Sequence, residues 1–405
     1  MKIIKAKKIL NFDNGFEILH NKAIAFEQNI VEVGEFENLK NKYKNAKIID
    51  CSTDIIAPGF INTHTHLEFS SNKTSLIYGD FLKWVDSIVN SRDTLSKEAN
   101  DKLIEEAIKS IMKSGVCTIG EISSFGGDLQ ICANSEARVV FFNEILGVSE
   151  AVCSENWDKF MARFNASLKY KNDKFIPAVS VHSPYSTHPN LVQKVCDFAK
   201  KNSLLISAHF LESEHEKKWL TKGEGEFKKW LSHFSKNPKP MYNIDSFLEY
   251  FKGIKTLFTH CVYMDDFSKL DKNLHSVTHC AFSNRLLSKR TLNLKKLLSN
   301  KAKLNIGTDG LSSNISLNFF DELRANLLIH DDFNLHKIAQ ILWISATKEA
   351  ANSLNLNSGS LSKGKLSDIA VYKDLDCNDS ELLLQLILQT KEAKKLFIGG
   401  NECNF

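Results

Sequence analysis

Ile55-Ile56-Ala57-Pro58-Gly59-Phe60-Ile61-Asn62-Thr63-His64-Thr65-His66 is an apolar run that ends in His-x-His. Read as a strand over Ile55–Asn62, it carries side chains two apart on the same side, so His64 and His66 can reach one metal ion together. Imidazole is a common ligand for zinc and similar metals. The pair alone is weak, because two core or surface histidines give the same letters. Its weight comes from motifs further along the chain.

Outward from this stretch, short β-branched and aromatic runs alternate with segments of helical spacing as far as about residue 310. The further candidate strands are Val116–Ile122, Arg138–Ile145, Phe175–Val181, Leu204–Ala208, Thr256–Thr259, Ser276–Thr278 and Lys303–Gly307. Helical spacing occupies Lys97–Lys113, Asn156–Lys169, Asn190–Lys200 and Asn293–Leu298. Eight strand–helix units predict an α/β fold, a (β/α)8 TIM barrel over residues 55–358, with Asn334–Ser353 closing its outer ring. Residues 1–54 and 359–405 alternate strand-like pieces with turns. They predict one small β-sandwich domain formed by both chain ends.

Barrels of this kind gather their chemistry at the C-terminal ends of the strands. Here the first strand ends in His64 and His66, the fourth in His182 and the fifth in His209. The sixth ends in His260, the seventh in His279 and the eighth in Asp309. Each residue has an ordinary alternative. Glu212, three residues after His209, either carries protons or opens the solvated charged run Glu212–Lys218. Asp309, between glycines in Asn305-Ile306-Gly307-Thr308-Asp309-Gly310, either faces a metal or forms a turn. His260 is a fourth histidine near the metal, a partner of a bound water, or a core histidine bonded to backbone. Three His and one Asp with an open position suit a hydrolytic Zn²⁺ or Fe²⁺ site, whereas a structural zinc site would be closed and cysteine-rich.

Composition sets the boundaries of that reading. Hydrophobic residues make up 43% and charged residues 25% of 405 positions, ordinary for a soluble globular protein. A net charge of +4, spread over scattered lysines, argues against a nucleic-acid or membrane-surface partner. Nine cysteines without a Cys-x-x-Cys pair fit reduced thiols in a cytoplasmic protein. No apolar stretch approaches the ~20 residues of a membrane span.

His64-x-His66, His209-x-x-Glu212, His260 and Thr308-Asp309-Gly310 together resemble the amidohydrolase superfamily. So do Ala57-Pro58-Gly59-Phe60 and the segment Gly364-Lys365-Leu366-Ser367-Asp368-Ile369-Ala370-Val371. Trp84, His182-Ser183-Pro184-Tyr185-Ser186-Thr187, Ser283-Asn284-Arg285-Leu286-Leu287 and Thr308–Asn314 are similar to its adenine- and guanine-type deaminase and chlorohydrolase branch, and within it to the aminodeoxyfutalosine deaminases. Two positions depart from the pattern. The fourth strand, Phe175–Val181, has no lysine at its end to bridge two metals, so a single divalent ion is expected, zinc with iron as the alternative. Ala281 stands where the branch commonly has proline.

The resemblance implies hydrolytic deamination of an adenine nucleoside, with 6-amino-6-deoxyfutalosine of menaquinone biosynthesis as the expected substrate. His64, His66, His209 and Asp309 would hold the metal. Asp309 would take a proton from water, His260 would align that water, and Glu212 would protonate the ring. Substrate-binding candidates are Trp84, Arg92, Glu144 and His182. Trp84 either stacks on the ligand or is buried by its helix. Arg92, placed after that helix, either grips a substrate carboxylate or is solvated. Glu144 binds base or sugar, or pairs with a neighbouring cation. The rival readings are a guanine, S-adenosylhomocysteine or methylthioadenosine deaminase, a chlorohydrolase, and a non-catalytic scaffold. A homodimer is left open.

Overall fold

The computed structural model describes residues 1–13, 15–71, 74–98, 101–233 and 237–404, with residues 92–98 described by backbone alone. Eight parallel strands pair in chain order: β1 (Phe60–Thr65), β2 (Val116–Ser123), β3 (Arg138–Ile145), β4 (Phe175–Val181), β5 (Ile206–Phe210), β6 (Thr256–His260), β7 (His275–His279) and β8 (Lys303–Ile306). Every residue of β2 and β3 is buried. A parallel strand covered by helices outside and by its neighbours' side chains inside has no wet face, which is why these runs are apolar throughout.

The circle closes where β8 returns to β1. Asp309 N–H donates to the His64 carbonyl at 3.0 Å, and Thr63 Oγ1 donates to the Ile306 carbonyl at 3.1 Å. Gly307 permits that approach, because a Cβ there would stand 2.9 Å from both His64 Cβ and Thr278 Cγ2. The (β/α)8 barrel expected from the eight strand–helix units is therefore present.

The run Ile55–Asn62 is two strands rather than one. Lys47–Pro58 belongs to a second sheet, pairing through Asp54–Pro58 with Ile369–Lys373, and the barrel strand starts at Phe60. The break is Gly59, where an added Cβ would meet Cys117 Sγ at 2.1 Å. The second sheet has the order Asn401–Glu402, Lys395–Ile398, Ile369–Lys373, Lys47–Pro58, Lys2–Asn11, Lys22–Phe26, Ile30–Glu35, with Glu17–His20 also on Lys2–Asn11. Both chain ends thus share it. Four strand spacings, about 19 Å if the sheet were flat, separate the strands of Phe26 and Phe397. Yet their rings lie 5.6 Å apart, so this single sheet curls over its own core.

Three helical stretches differ from expectation. The pattern at Lys97–Lys113 spans two helices, Phe81–Glu98 and Asp101–Lys113, and Asn334–Ser353 is broken at Thr347 into Leu335–Ala346 and Lys348–Ser353. Residues 359–405 also contribute a helix, Leu382–Gln389, which packs on the outer ring and accepts the Trp343 indole N–H at the Leu383 carbonyl (3.2 Å). No helix among the described residues is long and apolar enough to cross a membrane.

Candidate active site

The barrel's C-terminal rim brings together six of the residues singled out in the sequence. His64 and His66 end β1 and follow it, His209 lies on β5, His260 ends β6, and Glu212 and Asp309 sit in the loops after β5 and β8. His66 Nε2 lies 3.2 Å from His209 Nε2. Asp309 Oδ1 lies 3.7 Å from His64 Nε2 and 3.6 Å from His66 Nε2. Those last separations are long for hydrogen bonds. They match neighbouring ligands around one tetrahedral ion, which at bond lengths of about 2.1 Å stand about 3.4 Å apart.

Two of the three remaining ring nitrogens are tied back, and the third, His66 Nδ1, is buried without a partner. His209 Nδ1 donates to the His182 carbonyl at 2.8 Å, and His64 Nδ1 lies 3.2 Å from Thr259 Oγ1. That leaves His64 Nε2 buried without a partner, as a metal ligand would be. Asp309 Oδ1 accepts from Gly310 N–H and Oδ2 from Ser313 Oγ, both at 2.9 Å. The donor set fits one divalent cation.

Electrostatics agree with that role. Burial, and then the neighbouring His64, pushes the His66 pKa down to about 4. Burial and the surrounding imidazoles hold His209 well below its usual value. Both rings are therefore neutral near pH 7, the form that ligates. At Asp309 burial pushes upward, but the His64 contact and the His66, His64 and His260 rings together hold it well below the usual carboxylate range. Glu212 moves the other way: burial, then Asp309 and Glu216, push it well above normal. Its Oε1 lies 3.5 Å from His260 Nε2.

Backbone geometry concentrates here too. Of the eight non-glycine residues with positive φ among the described residues, four (Leu211, His260, Cys261 and Asp309) belong to this rim. Such conformations persist where the surroundings over-determine them, characteristically at functional sites.

A cavity of about 550 Å³ opens above the cluster, lined by His66, His209, Glu212, His260 and Asp309 at its floor. Of the substrate-binding candidates, Trp84, Glu144 and His182 line it. The Trp84 indole donates to the Ser312 carbonyl at 2.9 Å. His182 Nδ1 is held by Ser186 Oγ at 2.5 Å. Glu144 Oε2 accepts from Ser124 Oγ at 2.6 Å, and its Oε1 lies 3.8 Å from His209 Nδ1. Arg92 lies within helix Phe81–Glu98 rather than after it, and its side chain falls outside the described residues. His279 does not join the cluster: its ring turns toward Asn284 and His330.

The sequence did not point to Glu68. Its carboxylate accepts the backbone N–H groups of Ser124 (2.7 Å), Phe125 (2.9 Å) and Gly127 (2.8 Å), fixing a loop that lines the cavity. A buried acid two residues past His-x-His was the only hint. Ser313 and Asn284 lay inside recognisable motifs without an assigned role.

The amidohydrolase family model matches residues 55–403. The chain belongs to the amidohydrolase family. This amidohydrolase is 40% identical over 408 residues to an aminodeoxyfutalosine deaminase of Nitratiruptor sp., covering 99% of each chain. It is 34% identical over 412 residues, 98% of each, to an adenosine deaminase of Helicobacter pylori. Its structure superimposes on H. pylori aminofutalosine deaminase in complex with methylthio-coformycin with a TM-score of 0.94 at 33% identity, covering all of both chains. A guanine deaminase from C. acetobutylicum (TM-score 0.80, 18% identity, all of both chains) shares the fold.

Proposed function

We propose that this chain is a metal-dependent deaminase that replaces the amino group of an adenine nucleoside by oxygen and releases ammonia, with 6-amino-6-deoxyfutalosine of menaquinone biosynthesis as its substrate. The observation that carries this reading is the convergence of four ligand-type side chains with Glu212 and His260 on the floor of an open cavity. The full-length similarity to an aminodeoxyfutalosine deaminase supports the choice of substrate.

His64, His66, His209 and Asp309 would hold one divalent ion, zinc or else iron. Such an ion, when bound, lowers the pKa of a coordinated water from ~15.7 toward ~7. Asp309, whose carboxylate stays ionised, accepts a proton as water attacks the amino-bearing carbon. His260 aligns that water through Nε2. Glu212 delivers a proton to the adjacent ring nitrogen, which lets the ring accept the displaced electron pair. Glu212, now a carboxylate, takes the proton of the added hydroxyl and passes it to the leaving nitrogen, and the proton held by Asp309 restores Glu212, so the oxygen of water ends on the ring and the amino group leaves as ammonia.

Trp84, Glu144 and His182 would contact base and sugar. The cavity's outer walls, Val85, Ile88, Val89, Phe125, Leu146 and Val148, suit a substituent larger and more apolar than the hydroxymethyl group of adenosine. Arg92 is assigned to a substrate carboxylate. Nine free thiols favour a reducing compartment, the cytoplasm. The reaction belongs to the barrel, taken as residues 59–358, with the sheet from both chain ends as a separate small domain.

Ammonia release from aminodeoxyfutalosine, methylthioadenosine, S-adenosylhomocysteine, adenosine and guanine tests the proposal. Aminodeoxyfutalosine should give the highest kcat/KM. Turnover of guanine alone, or of none of the five, would overturn it.

A further inference from the structure

Behind the metal-ligand cluster four buried side chains form a hydrogen-bonded chain of which the proposed catalytic steps use only the first member, His260. His260 Nδ1 lies 2.8 Å from Asn284 Oδ1, Asn284 Nδ2 lies 2.9 Å from His279 Nδ1, and His279 Nε2 lies 3.0 Å from His330 Nε2. Asn284 and His279 have no exposed surface, and His260 and His330 have 1% and 4%. Bulk water therefore does not compete for these links.

An amide oxygen only accepts and an amide nitrogen only donates. His260 must then carry its hydrogen on Nδ1, and His279 Nδ1 must be bare. Burial, with His330 beside it, holds His279 well below its usual pKa, so the ring is neutral. Its one hydrogen sits on Nε2 and is donated to His330 Nε2. Every link has a single direction. Turning Asn284 over would reverse both tautomers with it, to Nε2–H at His260 and Nδ1–H at His279, so the amide and the two rings are set together. The chain is not a proton wire, since an amide does not readily pass a proton through. What it does is define a tautomer.

We propose that Asn284, oriented by His279 and His330, is a positioning residue that locks His260 in the Nδ1–H tautomer and so presents a bare Nε2 lone pair to the cavity floor. The use of that lone pair to align water rests on the deaminase reading. The tautomer itself does not.

The test reads both quantities on the full-length zinc-loaded enzyme. Ring ¹⁵N–¹H correlation spectra, with His260 assigned by its loss in His260→Gln, report the tautomer, and steady-state ammonia release reports kcat and KM. Wild type should show Nδ1–H at His260. Asn284→Leu should shift His260 toward Nε2–H and lower kcat roughly 10–100-fold with little change in KM. His330→Phe, distant from the cavity, should produce a partial shift of the same sign and serves if Asn284→Leu does not fold. Nε2–H in wild type, or an unchanged tautomer in both variants, overturns the proposal. Nδ1–H in an enzyme that deaminates no nucleoside would sustain the tautomer lock and remove the reaction instead.

Discussion

Glu212→Gln replaces one oxygen by an amide of the same length at the cavity floor. The backbone of residue 212 is fixed without its side chain: its N–H donates to Glu216 Oε2 at 2.9 Å, and its carbonyl accepts from Ser288 Oγ at 2.5 Å. The side chain itself is buried beside His260 and carries no assigned metal contact. Substitution should therefore leave fold and metal content intact while removing the proton donor. General acid–base catalysis contributes ~10²–10⁴-fold, which at ~1.4 kcal/mol per decade is ~3–5.5 kcal/mol of barrier. The assay is ammonia release at saturating aminodeoxyfutalosine, with metal analysis and a thermal melt on the same preparation. We expect kcat to fall by that factor at unchanged metal content and Tm. A kcat within twofold of wild type would refute the assignment, and metal lost together with activity would move Glu212 into the ligand set.

Other perturbations probe separate parts of the account. Asp368→Ala strands Arg138, whose Nη1 and Nη2 lie 2.5 Å and 3.2 Å from the Asp368 carboxylate in a fully buried pair between the end sheet and the barrel. Urea unfolding should show a loss of ~3–5 kcal/mol, and a loss below ~1 kcal/mol would mean the pair is solvated or compensated. Burial pushes the Glu216 carboxyl up to about 7, although the backbone N–H groups of Leu211, Glu212 and Ser213 pull the other way. With the folded pKa above the unfolded one, its contribution to stability is present at low pH and declines as pH rises from about 4.5 to about 7, by at most ~3 kcal/mol. Glu216→Gln should flatten that slope in unfolding curves taken across the window, and an unchanged slope assigns it elsewhere. Arg92→Ala should raise KM for aminodeoxyfutalosine far more than for adenosine, and equal effects in both would remove Arg92 from the substrate site. Chelation should abolish ammonia release and zinc should restore it, whereas full activity after exhaustive chelation contradicts a metal-dependent reaction.

The barrel and the centre of its site were legible because both follow short-range rules. Period-two alternation at His64 and His66, and a polar residue ending each of several apolar runs, translate directly into side chains on one rim. Arg138–Ile145 and Phe175–Val181 match their strands residue for residue. What the sequence withheld depends on contacts between distant segments. Ile55–Ile61 has no polar side chain, and although Pro58-Gly59 marks a break within it, only the distant partner Ile369–Lys373 decides that Ile55–Pro58 joins the end sheet. His279 ends its strand like the others, and only the position of His330, 51 residues on, decides that its ring faces away from the metal ligands. The positive φ values at Leu211, His260, Cys261 and Asp309 fall on non-glycine residues and so left no mark in composition.

The most direct test of the central claim is an anomalous-scattering map at the metal's absorption edge from crystals of the purified enzyme. One peak enclosed by His64, His66, His209 and Asp309, with the cavity side open, is the predicted result. No peak there, two peaks, or a single ion enclosed by protein on every side would contradict it.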